Sequence, residues 1–107
     1  VDNINYQLLI KDISLGDGSL IINVSSMPLF DQSISWIENL CHLAGITLKS
    51  TDYGADLVQA QIFFEQEDFM LSLNFITNDV WIMALSDGKQ AGLHKLHMRL
   101  RLHFATN

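Results

Sequence analysis

The chain has a single cysteine, a single proline and half as many basic as acidic residues, and each shortage excludes something. With Cys41 alone, no internal disulfide can form. That suits a reducing compartment, so the sequence reads as cytoplasmic. No stretch approaches the ~20 apolar residues of a membrane span. Residues 1–10 carry no basic region ahead of Leu8–Ile10, so no secretion signal is read there. A phosphate loop, a dinucleotide fingerprint, a Gly-x-Ser-x-Gly elbow and a His-Glu-x-x-His pair are all missing. The sequence therefore implies no cofactor and names no catalytic residue.

What is present is a foldable core. Apolar residues make up 49% of the 107 positions and charged residues 17%, the reverse of a disordered composition. The length suits one domain spanning 1–107. The net charge of −6 is unevenly spread. Every acidic residue lies between Asp2 and Asp87, whereas Lys89, Lys95, Arg99 and Arg101 follow them. An acidic body repels nucleic acid and anionic membranes and suits a basic protein partner.

Period-two alternation marks most of the chain as strand. Ile4, Tyr6, Leu8 and Ile10 alternate with polar residues, and so do Leu20, Ile22 and Val24 beyond the Leu15-Gly16-Asp17-Gly18 turn. Residues 4–25 thus read as a hairpin that Pro28 closes. A helix follows, capped by Asp31, Ser33 or Ser35; Ser35 and Glu38 have capping-box spacing. Its apolar face is Ile34, Ile37, Leu40, Cys41 and Ala44, with Trp36 and Leu43 at the margin, and Gly45 suits its C-terminus. Ile46–Lys49 is a short candidate strand, and Thr51 to Asp56 reads as the longest polar loop. Val58 to Phe64 and Phe69 to Phe75 alternate cleanly around a charged turn at Glu65 to Asp68. After a turn at Thr77 to Asp79, Val80 to Leu85 is apolar on both faces, which suits mid-sheet or a place under a second layer.

The tail is ambiguous. Leu96 to Phe104 alternates like a strand, while Leu93, Leu96, Leu100 and Phe104 make a helical stripe. A helix starting near an Asp87 cap is preferred, because its basic residues then complement the helix dipole. The expected fold is α+β: a largely antiparallel sheet of five to six strands, in the order β-β-α-(β)-β-β-β-α, with two helices on one face. Ile37, Leu40, Leu71, Leu73, Trp81 and Ile82 should dominate the core.

Gly54-Ala55-Asp56, Phe69 to Phe75 and Val80-Trp81-Ile82 resemble a family of short bacterial proteins of unknown function. In that family a Gly-Ala-Asp element precedes three close strands, and an aromatic-rich strand precedes a C-terminal helix. The resemblance covers the second half of the chain and implies architecture without activity. The polar, His-rich tail from Leu93 to His103 departs from the apolar closing helix expected of it.

Candidate chemistry is sparse. His94 and His97 would share a helix face, but a metal would need a third ligand such as His42, and His103 points elsewhere; no metal site is assigned. Cys41 and His42 diverge by about 100° on a helix and form no ready dyad, so a buried, inert thiol is expected. Glu65, Glu67, Asp68 and Asp79 read as solvated turn carboxylates. Asp52, Tyr53 and Asp56 flank Gly54 in the polar loop and are the candidate ligand-binding residues. On the helical reading of the tail, Ala91, Met98 and Leu102 face outward beside Arg99 and Arg101, a candidate interface. Basic residues without interleaved aromatics do not make a nucleic-acid site.

The sequence therefore reads as a non-enzymatic protein-interaction module that self-associates as a homodimer, with no nucleic-acid or membrane partner. Two alternatives stay open. One is a small ligand-binding or enzymatic domain using the 52–56 loop and the C-terminal histidines. The other is an acidic inhibitor or immunity-type protein that binds a basic protein.

Overall fold

Alternation and turn chemistry together build a six-stranded sheet. The computed structural model describes residues 8–85 and 90–104. The strands are β1 (Ile10–Leu15), β2 (Ser19–Val24), β3 (Thr47–Tyr53), β4 (Leu57–Phe64), β5 (Glu67–Asn74) and β6 (Asp79–Ala84). Helix α1 (Ser33–Ala44) joins β2 to β3, and α2 (Gln90–Phe104) follows β6. The spatial order is β1-β2-β6-β5-β4-β3, and every pairing is antiparallel. The chain leaves β2 over α1 to the far edge and meanders back, so β6 fills the gap beside β2. This is the expected α+β class, with the doubtful strand after α1 now a full strand.

Register explains the burial. One row runs Tyr53, Val58, Leu73, Val80, Ile22 and Ile13 across all six strands, and a second runs Ala60, Leu71, Ile82, Leu20 and Leu15. Away from the edge residue Tyr53 and half-buried Leu15, these side chains are buried under the helices. Helix α1 lies against β3 and β4, while α2 lies against β1, β2 and β6. The apolar stripe Leu93, Leu96 and Leu100 of α2 is fully buried, and Phe104 packs at its end. The helical reading of the tail and its inward face hold. The cap read for Asp87, like the strand residues Ile4 and Tyr6, lies outside the described residues.

Several local expectations are corrected. The first strand begins at Ile10, after Leu9 with φ of 55°, so the alternation before it does not set the hairpin register. Helix α1 starts at Ser33 behind a 3-10 turn at Phe30–Gln32, which leaves Ser35 inside the helix and forms no capping box. The buried Ser33 hydroxyl instead donates to the Phe30 carbonyl at 2.7 Å. The helix does end as expected. Gly45 is left-handed at φ 71°, and the Ile46 amide reaches back to the Cys41 carbonyl at 2.9 Å.

Thr51, Asp52 and Tyr53 are strand, not loop. Their pairing with Ala60, Gln59 and Val58 overrides the local polarity, because an edge strand tolerates polar side chains on both faces. The connection shrinks to a tight turn in which the Gly54 amide meets the Leu57 carbonyl at 2.6 Å.

The tryptophans exchange roles. Trp36, expected at the helix margin, is buried, and its indole N–H donates to the Leu8 carbonyl at 3.2 Å. Trp81, expected in the core, pairs with Ser72 and Ile21 on the opposite face of the sheet and is only half-buried.

Candidate functional site

The candidate ligand residues sit on different surfaces. Alternation along β3 puts Tyr53 on the helix side, where its ring lies 5.5 Å from that of Phe30, and Asp52 on the other side beside Gln59. Asp56 lies in the turn, where its carbonyl accepts the Phe75 amide at 2.8 Å. The three do not converge on one pocket.

The remaining polar candidates are also dispersed. His94, His103 and His42 are exposed, whereas the His97 ring nitrogen sits 3.1 Å from the Ile13 carbonyl and ties α2 to β1. Among the described residues, no three His, Cys, Asp or Glu side chains gather as a metal site. Cys41 is buried in the core, and burial pushes its thiol up to about 12. A thiol held protonated at neutral pH is a poor nucleophile.

The turn carboxylates differ from one another. Asp68 pairs with Lys49 at 3.0 Å, and hydrogen bonds from Lys49 and Gln61 hold its carboxyl below the usual range. Glu67 is not solvated as expected. It lies on the helix side of the sheet opposite Phe64, packed against Gly92 of α2, with its Oε1 buried and unpartnered. A side chain at position 92 would occupy the same space.

The outer face of α2 is exposed where expected. Met98 is 62% and Leu102 77% exposed. They border a shallow groove of about 350 Å³ shared with Phe64, Glu65, Lys95 and Arg99. Ala91 is exposed one turn before Lys95. Arg101 is exposed, but Arg99 is tethered: it donates to the Ala44 carbonyl at 2.9 Å and lies 4.9 Å from the Phe64 ring centre.

A further surface went unread in the sequence. Both helices α1 and α2 lie on one face of the sheet, so among the described residues the other face has no helix over it. One row there runs Asp52, Gln59, Ser72, Trp81, Ile21 and Ser14, and the next includes Gln61, Met70, Met83 and Ser19. Towards β4 and β5 the row covers itself: Ser72 is buried and accepts from Gln59 at 3.1 Å. Towards β2 and β6 it stays open, with Ile21 36% and Met83 48% exposed. An open depression of about 430 Å³ lies there, walled by Asp17, Ser19, Ile21, Asp79, Trp81 and Met83. The available signal was the strand Val80–Leu85. A strand apolar on both faces, with α1 and α2 both covering the same one, leaves an apolar face outside.

With this geometry in place, residues 8–101 match the family described as Protein of unknown function (DUF3630). The chain belongs to that family. The match spans β1 through most of α2 and so includes the open sheet face and the α2 groove up to Arg101, with Leu102 just beyond it. Neither the curated proteins nor the solved structures yield a match. The family thus agrees with the resemblance read from the second half of the chain and extends it over the first half. Among the described residues, no helix is long and apolar enough to cross a membrane.

Proposed function

We propose that this domain acts by binding protein surfaces and that it self-associates through the outer face of α2. The observation that carries this reading is the exposed pair Met98 and Leu102 beside an apolar groove. Contiguous exposed apolar surface on a small domain marks an interaction site. The flanking charges suit a two-fold arrangement, in which Lys95 and Arg101 of one copy can meet Glu65 of the other. Edge-to-edge pairing is the rival geometry and is disfavoured. Both edge strands are bulged, β1 between Ile10 and Asp12 and β3 between Leu48 and Ser50, with Lys11 and Lys49 at the bulges. Cys41, a buried free thiol, is compatible with work in the cytoplasm.

Sedimentation of the wild type and of the Met98→Lys/Leu102→Lys variant tests this. The wild type should dimerise at micromolar concentration, and the variant should be a folded monomer. Dissociation should depend only modestly on salt, since apolar burial carries most of the energy. A wild type that stays monomeric at high micromolar concentration rejects the dimer. A second reading, an acidic inhibitor or immunity-type protein that neutralises a basic partner, is favoured by the carboxylates around the open sheet face.

A further inference from the structure

We infer that the depression between β2 and β6 is a docking site for a cationic, arginine- or lysine-bearing segment of a partner protein. This deepens the reading of the domain as an interaction module by giving the partner's chemistry. It does not depend on the α2 dimer, which uses the opposite layer.

Three observations point the same way. First, the site joins an aromatic wall to carboxylates. The half-buried Trp81 lines it with Ile21 and Met83, and Asp17 and Asp79, both exposed, border it. An indole face attracts a cation through its quadrupole, and a guanidinium can stack there while bonding a carboxylate. Second, among the described residues nothing basic lines the depression, and the four inner strands β2, β4, β5 and β6 contain no lysine or arginine. The described basic residues lie elsewhere: Lys11 and Lys49 on the edge strands, and Lys95, Arg99 and Arg101 on α2 across the sheet. Further acids, Asp12 and Asp52, sit on the same open face, and Lys49, which reaches that face at its far edge, is paired there with Asp68, so the field over the depression favours a cation. Third, the walls are apolar enough to take more than a point charge. Ile21, Met83 and the Trp81 ring can hold the methylene stem of a long basic side chain while its head reaches the rim.

The probe is a short amidated peptide of alternating arginine and leucine, titrated into the full chain labelled with nitrogen-15. A matched peptide with glutamate in place of arginine serves as control. The expected result is saturable amide shifts at Ser19, Ile21, Trp81 and Met83 with the arginine peptide alone. Binding should weaken about tenfold in Asp17→Asn/Asp79→Asn and again in high salt. Both aspartates are exposed, so that variant should fold normally. Trp81→Leu should weaken binding too, and a folded spectrum is required of it. The Met98→Lys/Leu102→Lys variant should bind as the wild type does, which separates this site from the dimer. No binding, equal binding of the glutamate peptide, or shifts confined to α2 would overturn the proposal. So would loss of self-association in Asp17→Asn/Asp79→Asn, since the face would then be covered by a second copy.

Discussion

Arg99 of α2 donates from Nη1 to the main-chain carbonyl of Ala44 at 2.9 Å, so one helix caps the C-terminus of the other. That carbonyl belongs to the last turn of α1, where acceptors lack helical partners and the dipole is negative. The same guanidinium lies over the Phe64 ring. Arg99→Met keeps much of the stem and removes both contacts. It should cost about 1–3 kcal/mol in urea unfolding, the scale of a hydrogen bond from a charged group. Arg99→Lys should recover only part, since a point charge cannot serve carbonyl and ring with one planar group. A change within about 0.5 kcal/mol would place Arg99 with ordinary surface residues.

Gly92 presents a different relationship, with Glu67. A Cβ at position 92 would meet the Glu67 carboxylate, and one oxygen of that carboxylate is buried without a partner. The obstacle is the end of a flexible side chain. Gly92→Ala should therefore push Glu67 into solvent, relieve the unpartnered oxygen and add helix propensity. A gain of up to about 1 kcal/mol in thermal or urea unfolding is expected. A comparable loss would show that Glu67 is held in place by something that the swing disrupts.

The buried thiol sets a pH window. Cys41 has its pKa raised from 9.0 to about 12 by burial. A raised folded-state value means that the unfolded chain loses its proton first. The stability from the neutral buried thiol is complete below pH 9.0 and is lost as pH rises towards 12. The stability gap between wild type and Cys41→Ala should hold at neutral pH and narrow through that window. Disulfide reagents should label native Cys41 slowly near pH 8 and rapidly after denaturation. Fast native labelling would contradict the buried position.

Much of this architecture was legible in the sequence, and the failures share a cause. Leu71, Leu73, Leu93, Leu96 and Leu100 were readable because local periodicity and tertiary burial agree there. The Gly45 terminus was readable because only a left-handed residue ends a helix that way. Asp52 and Tyr53 were misplaced because β4 recruits them into an edge strand, a non-local effect. Glu67 looked solvated for the same reason, since its burial depends on a helix more than 20 residues later in the chain. The outward Met98 and Leu102 followed from the helical stripe. The open face around Trp81 did not, because which side of a doubly apolar strand is covered depends on where the helices go.

Adjacent residues on β6 test that last point. Ile82 is fully buried in the row Ala60, Leu71, Ile82 and Leu20, while Trp81 lies on the other side. Ile82→Ala should cost about 2–5 kcal/mol, the range for truncating a core aliphatic residue. Trp81→Ala removes a larger side chain and should nonetheless cost less, because its ring is already partly in water. If Trp81→Ala were the more damaging, the ring would belong to the core and could not serve as an accessible docking wall.

The β4–β5 turn offers a gain. Phe64 pairs with Glu67, which leaves Glu65 and Gln66 as a two-residue connection, and their φ values are 50° and 71°. Positive φ at both central positions is the requirement of a type I′ hairpin turn, which favours Asn-Gly. A side-chain-bearing L-residue in the left-handed region costs roughly 1–2 kcal/mol because Cβ crowds the following carbonyl. Glycine does not have that Cβ but is more flexible in the unfolded chain, which returns part of the difference. Gln66→Gly should therefore stabilise the domain by about 0.5–1 kcal/mol in urea unfolding. Glu65→Asn should add a smaller increment, since asparagine tolerates that region better than glutamate. Glu65 also lines the α2 groove, so the pair of variants separates two roles. If Gln66→Gly raises stability while Glu65→Asn weakens self-association, the turn is strained for the sake of the carboxylate it presents. If both substitutions destabilise, the connection is not a type I′ turn.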